Sequence, residues 1–235
     1  MGRAFEYRKA AKEKRWANMS RVFPKLSKLI TLAAKEGGGD PEMNSRLRTA
    51  ILNAKAQNMP KENIDAAIKR ASSKDSENIY EAIYEGKGPH GAMIMIECAT
   101  NNPNRTVANI KTILSKNGGH LVPNGTLAFI FSKKAVFEVE KSADIDLDTL
   151  ELTLINAGLE EINSDEQNIY IYAPYTEFGS ISKALEELNI EPKSASLQYI
   201  ANSAQEYSDE QIEEIMKLTE KLEDDDDVQA VYTNI

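Results

Sequence analysis

Apolar residues return every three or four positions from Ser20 to Ala71: Val22, Leu26, Leu29, Ile30 and Ala33, then Met43, Leu47, Ala50, Ile51 and Ala54, then Ile64, Ala67, Ile68 and Ala71. That spacing puts each set on one helical face, and three such faces can close on one another. The punctuation agrees. Ser20 serves as an N-cap, Gly37-Gly38-Gly39 supplies a left-handed stop, and Asp40 caps a second helix that Pro41 opens. Pro60 starts the third. The pattern predicts a small helical bundle over residues 20–71 with tight connections.

Ser72 to Asn78 is polar and repeats Ser and Lys, which predicts a linker. Beyond it the period changes. Ile79–Glu85 and Gly91–Thr100 read as strands around a glycine-rich turn. Asn102 caps and Pro103 opens a helix with Val107, Ile110, Ile113 and Leu114 as its stripe and Asn117-Gly118-Gly119 as its stop. Thr126–Ser132 and Ala135–Glu140 read as two strands parted by Lys133 and Lys134. From Ala135 the order is strand, helix Asp146–Ala157, strand Leu159–Asn163, strand Asn168–Ala173, helix Thr176–Leu188 capped by Thr176, and strand Ser194–Ala201. That is a split β-α-β-β-α-β unit, the ferredoxin-like arrangement. Ser208 with Gln211 then forms a capping box for a helix carrying Ile212, Ile215, Met216 and Leu222, and Val228–Thr233 is a last strand.

Those two final elements have no partner in a unit already complete, and they fit the strands before it. The expected fold class is therefore α+β: an N-terminal three-helix bundle followed by two ferredoxin-like α+β domains, the third domain inserted into the second. The expected domains are residues 1–75, a basic arm and bundle; 76–133 plus 204–235, a discontinuous α+β domain; and 134–203, the inserted unit.

Charge divides the chain in a way its total conceals. The 235 residues sum to −9, yet up to Lys74 seventeen Lys and Arg stand against seven Asp and Glu, leaving eleven against thirty for the rest. One end is at +10 and the remainder at −19. A segment this rich in cations is the electrostatic footprint of phosphate binding. The candidate nucleic-acid-binding residues are Arg3, Arg8, Lys9, Lys12, Lys14 and Arg15 on the arm; Lys25, Lys28, Arg46, Arg48, Lys55, Lys69 and Arg70 on the bundle; and Arg105 in the first turn of the helix after Asn102. Helical spacing aligns Arg8, Lys12 and Arg15 along one side of the arm. Its apolar positions are mostly alanines, with Trp16 and Tyr7 available to stack or to plug the arm onto the body; the plain alternative is a solvated charged helix. Arg105 opposes the helix dipole, so it either meets an anion or pairs with a body carboxylate such as Glu97. The acidic run Glu223 to Asp227 is either a solvated helix-to-strand loop or a nucleic-acid mimic that touches the bundle.

Catalytic chemistry finds little material. His90 and His120 lie in glycine-rich turns with no cysteine or carboxylate at metal-ligand spacing. No G-x-S-x-G or H-E-x-x-H is present. Cys98 reads as a small buried hydrophobe. Gly86-x-Gly88-x-x-Gly91 matches the dinucleotide fingerprint only as letters, because it runs from strand into strand. The triple glycine is followed by Asp40, which would repel a phosphate. The expectation is a non-enzymatic chain with no cofactor, no metal and no small-molecule substrate. No apolar stretch approaches membrane-spanning length and no apolar leader follows the N-terminal cations, which predicts a cytoplasmic protein that engages no membrane. Oligomeric state leaves no mark in the pattern.

With these residues laid out, the chain resembles the YebC/PmpR family, which includes mitochondrial translational activators of cytochrome oxidase. The resemblance is carried by Lys14-Arg15-Trp16-Ala17-Asn18, Ala34-Lys35-Glu36-Gly37-Gly38-Gly39-Asp40-Pro41-Glu42 with Arg46-Leu47-Arg48, Asn58-Met59-Pro60-Lys61 with Asn63 and Ala67-Ile68-Lys69, Tyr84-Glu85-Gly86 with Gly88-Pro89, and Asn104-Arg105-Thr106 with Ser115-Lys116-Asn117-Gly118-Gly119. The commoner family opening is of a Gly-His-Ser-Lys-Trp type, from which Met1-Gly2-Arg3-Ala4-Phe5-Glu6-Tyr7 departs. The resemblance implies a three-domain fold and one of two roles: a DNA-binding transcriptional regulator, or a ribosome-bound factor on rRNA that assists translation of proline-rich stretches. It implies no enzyme. The partner expected from it is nucleic acid, either duplex DNA or rRNA within the ribosome.

Overall fold

The computed structural model describes residues 19–73, 78–142 and 145–235. Three helices come first: α1 (Met19–Gly37), α2 (Ser45–Ala56) and α3 (Lys61–Ala71). Their stripes meet in a core of Val22, Leu26, Ile30, Ala33, Leu47, Ala54, Ile64 and Ala67. The start of α2 differs from the expectation. Pro41 does not open it; residues 41–43 form a turn, Asn44 is the N-cap, and Met43 is 83 % exposed instead of buried. The cause is a better cap three residues on. Asn44 accepts from the Leu47 N–H at 3.0 Å and donates to the Ala33 and Gly38 carbonyls at 2.8 Å each, so one side chain starts α2 and satisfies the end of α1. Asp40 spends its Oδ1 on the Glu42 N–H, which holds the turn. Gly38, at φ +90°, takes the left-handed position after α1.

The first sheet orders as β3-β1-β2-β8, all antiparallel, from β1 (Tyr80–Lys87), β2 (Met93–Thr100), β3 (His120–Val122) and β8 (Val228–Thr233). Helices α4 (Pro103–Lys116) and α7 (Asp209–Glu223) cover one face, where Ile94, Ile96 and Cys98 meet Ile110, Leu114, Leu218 and Leu222. The capping box at Ser208 and Gln211 is formed as the sequence predicts.

Between β3 and α7 the chain builds a second antiparallel sheet, ordered β5-β6-β4-β7, from β4 (Phe131–Glu140), β5 (Glu161–Ser164), β6 (Asn168–Pro174) and β7 (Ser194–Ala201). Helices α5 (Leu147–Asn156) and α6 (Phe178–Glu187) pack Leu150, Leu154, Ile181 and Leu185 onto Phe137, Ile169 and Ile171. The fold class is the expected α+β: three helices, then two antiparallel α+β units, the second set within the first.

Two further expectations are corrected. Thr126–Ser132 is not a strand: residues 124–130 form turns, and β4 runs unbroken from Phe131 through Lys133 and Lys134. The buried Glu85 carboxylate takes the Gly125 and Leu127 N–H groups, each at 2.7 Å, so those amides are withdrawn from any ladder. Thr176 does not cap α6; residues 175–177 make a 3-10 turn and the helix starts at Phe178.

Candidate nucleic-acid interface

Arg3, Arg8, Lys9, Lys12, Lys14 and Arg15 lie outside the described residues. The remaining candidate cations divide by what they touch.

The first group is tied to other parts of the chain, most of it to the acidic body. Lys25 Nζ donates to the Glu223 carbonyl at 2.5 Å, and Lys28 Nζ donates to the Asp226 carbonyl and to Asp227 Oδ1, both at 2.8 Å. Asp227 is only 4 % exposed. Its Oδ2 accepts from Arg105 Nη2 at 2.7 Å, Thr106 Oγ1 at 2.9 Å and Thr100 Oγ1 at 3.1 Å. Burial works against charge here, but the hydrogen bonds from Lys28, Arg105 and Thr106 outweigh it and hold the carboxyl down at about 2. The acidic run therefore ends in a buried hub that joins α1, α4 and β2, and Arg105 meets Asp227 and Asn101, not Glu97. Arg46 bridges Glu36 and, at 2.5 Å, Glu81 of β1. Arg70 Nη1 reaches Ser27 Oγ at 3.3 Å while most of the residue stays exposed.

The second group faces water. Arg48 donates to the Pro41 and Glu42 carbonyls at 3.2 and 3.3 Å and pairs with no carboxylate among the described residues. Lys55 and Lys69 are exposed without an ion pair among the described residues, as is Lys61, a basic-face lysine absent from the candidate residues. These three lysines line a groove of about 660 Å³ between α2 and α3, floored by Ile51, Met59, Ile64 and Ile68, with Asp65 as the carboxylate in its lining. Three cations to one anion leave the rim basic, and Arg48 adds to it from the Pro41 end.

The middle of α2 is not free. Asn53 donates from Nδ2 to the Ala195 carbonyl at 2.7 Å and accepts the Ala195 N–H at 3.0 Å, closing the outer edge of β7 as a further strand would, and Leu52 packs onto the second sheet's core. With its middle tied to β7, the exposed charges of α2 lie at its ends, Arg46 and Arg48 at one and Lys55 at the other.

One feature is not visible in the periodicity: Phe129, placed by it inside a strand, stands 91 % exposed on a turn, and the local signal for that turn is the Asn124-Gly125 pair. Among the described residues no three His, Cys, Asp or Glu are grouped to hold a metal, and no helix is long and apolar enough to cross a membrane. His90 Nε2 lies 2.8 Å from Glu214 Oε2 at the hairpin tip, and burial pushes the Cys98 thiol up to about 12.

Comparison with known proteins places both parts of the chain together. Residues 3–74 match the family model described as the TACO1/YebC protein N-terminal domain, and residues 79–235 match that of the TACO1/YebC second and third domain. Proteins named "probable transcriptional regulatory protein" are similar over the whole of both chains: one from Wolinella succinogenes at 64 % identity over 236 residues and one from Campylobacter lari at 60 % over 235. A crystal structure of a conserved hypothetical protein from Aquifex aeolicus superposes with a TM-score of 0.81 at 34 % identity, covering 93 % of this chain and 90 % of that one.

Proposed function

The chain belongs to the TACO1/YebC family, and from that premise we propose that it is a nucleic-acid-binding regulator of gene expression, a DNA-binding transcriptional regulator that grips phosphates with its N-terminal arm and bundle. The names of its relatives from Wolinella succinogenes and Campylobacter lari support the regulatory half. The observation that carries the binding half is the exposed set Arg48, Lys55, Lys61 and Lys69 around the α2–α3 groove, on the segment that also holds Arg3, Arg8, Lys9, Lys12, Lys14 and Arg15. Lys25, Lys28, Arg46 and Arg105 serve the scaffold in this proposal, because a phosphate would have to displace their present partners. The protein acts by binding and not by catalysis.

Contacts of this kind go to phosphates, which fix position without reading sequence. The test is the salt dependence of binding to labelled duplex. The logarithm of affinity falls with the logarithm of salt by about 0.9 per phosphate contacted. Reversing Arg8, Lys12 and Arg15 to Glu weakens binding at least tenfold and flattens that slope; unchanged affinity rejects the proposal.

The alternative, an rRNA-binding translation factor that assists synthesis of proline-rich stretches, is favoured by one observation: with Asn53 and Leu52 docked on the second sheet, α2 exposes its cations only at its two ends, a spacing suited to backbone phosphates more than to base edges. Crosslinking in cells followed by sequencing of both DNA and RNA separates the two. Recovery of rRNA without promoter DNA assigns the basic surface to the ribosome.

A further inference from the structure

Two places on the molecule expose apolar surface beside charge of opposite sign. The first is the groove between α2 and α3. Lys55, Lys61 and Lys69 line it against the single carboxylate of Asp65, and its floor is Ile51, Met59, Ile64 and Ile68. A phosphate can use those cations but gains nothing from aliphatic carbon, so the floor asks for a ligand that is apolar as well as anionic. Every lining residue lies within positions 39–69, so among the described residues no other element fills the groove. Met43, 83 % exposed, adds apolar surface two residues from Pro41 of the lining.

The second place is the outer face of α5. Of the large hydrophobic side chains exposed among the described residues, the two on α-helices are both here, Leu152 at 66 % and Ile155 at 54 %. The fold does not use them, because Leu150 and Leu154 supply the buried side of the same helix. Asp148 lies four positions before Leu152 and Glu151 four before Ile155, which sets the two acids and the two aliphatics on one exposed face. The helix contains no Lys or Arg, and neither acid makes an ion pair among the described residues. From Asp148 to Ile155 the face is about 10 Å long.

The two surfaces match in kind: an aliphatic ridge beside unpaired carboxylates, and an aliphatic floor beside unpaired ammonium groups. Helices that enter grooves present their anchors at this three- and four-residue spacing. Within one chain the two do not meet, since Leu150 and Leu154 hold α5 on the second sheet and no residue of α5 lines the groove. We propose that the α2–α3 groove receives the outer face of α5 from a second copy of this chain, with Leu152 and Ile155 on the apolar floor and Asp148 and Glu151 toward Lys55, Lys61 and Lys69. The contact is heterologous, because each copy offers its groove at one place and its helix at another, and association therefore runs head to tail. One short helical face buries less than the roughly 1,200 Å² at which stable interfaces begin, so the assembly is transient and depends on concentration. This inference goes beyond the nucleic-acid reading and does not depend on it. Where that reading holds, phosphates and a neighbouring copy compete for the same three lysines.

The test is sedimentation of the full chain over a series from about 1 μM to about 1 mM. The weight-average mass of the parent is expected to rise along the series. Leu152→Ser with Ile155→Ser removes the ridge, and Lys61→Glu with Lys69→Glu sets like charges against Asp148 and Glu151. Each pair of changes is expected to weaken self-association at least about tenfold. All four positions are exposed, so each variant melts close to the parent. A head-to-tail contact makes a further demand. The first variant keeps its groove and the second keeps its helix, so an equimolar mixture forms a one-to-one complex that neither variant forms alone. A parent that stays monomeric throughout the series overturns the proposal. So does a mixture of the two variants that fails to pair, which assigns any association of the parent to another surface. Duplex binding is read separately on the variant with Leu152→Ser and Ile155→Ser, whose cations are intact, and is expected to equal that of the parent. A parent that self-associates in this way yet binds no duplex rejects the proposed function and leaves the head-to-tail contact standing.

Discussion

Asp227 is buried with four side-chain donors on its two oxygens, from Lys28, Arg105, Thr100 and Thr106. Changing it to Asn removes the charge and sets an amide N–H₂ against these donors, although Lys28, Arg105 and Thr106 each keep a second acceptor in the Asp226 carbonyl, Asn101 Oδ1 and Thr100 Oγ1. Loss of one partner from a fully buried ion pair costs about 3–5 kcal/mol; Lys28 and Arg105 reach water, at 26 % and 49 % side-chain exposure, which brings the expected loss for Asp227→Asn to about 2 kcal/mol. Urea denaturation at neutral pH measures it. The same carboxyl sets a pH dependence. Its folded value, about 2, lies below the ordinary value near 3.9. A depressed acid stabilises fully above its ordinary value and progressively less as pH falls through its folded one. The parent chain is therefore expected to lose stability between about pH 4 and pH 2, and Asp227→Asn to lose less over that window. Glu97, raised by burial despite the Tyr232 hydroxyl, works in the opposite direction.

Elements whose signals are local were legible residue by residue. Ser194–Ala201 and Val228–Thr233 are strands at the expected residues, Asn102 caps α4, and Ser208 with Gln211 forms its box. Where a distant side chain competes for backbone, local signals misled. Asn44 is stitched to α1 and takes over the start of α2 from Pro41; Glu85 reaches forty residues along the chain to convert an apparent strand into a turn. Glu85→Gln can still accept one N–H but sets a donor against the other. It is expected to cost about 1–3 kcal/mol and to speed protease cleavage within residues 123–130, both measurable on the purified chain. The α2–β7 junction gives a second check. Asn53→Ala removes two hydrogen bonds that water can partly replace, for a loss of about 1 kcal/mol, with faster amide exchange at Ala195 than at Leu197.

At the scale of the molecule, the basic surface is one end of an otherwise acidic body. Repulsion between that body and a long polyanion acts through solvent and is screened within about 8 Å at 0.15 M salt. Changing the exposed Glu186 and Glu187 to Gln is expected to leave stability within about 0.5 kcal/mol. It should raise the association rate for duplex at low salt, an effect that fades as salt is added in a stopped-flow series. Periodicity, caps and net charge are local or additive properties, so the sequence by itself determined the fold class, the order of elements other than β3, and the division into a basic end and an acidic remainder. Which cations face outward is not additive. Lys25 meets Glu223 across 198 positions and Lys28 meets Asp227 across 199, while Lys55, Lys61 and Lys69 meet no carboxylate among the described residues. Only the tertiary structure decided that, because a charge is free or tied according to what lies within about 4 Å of it in space.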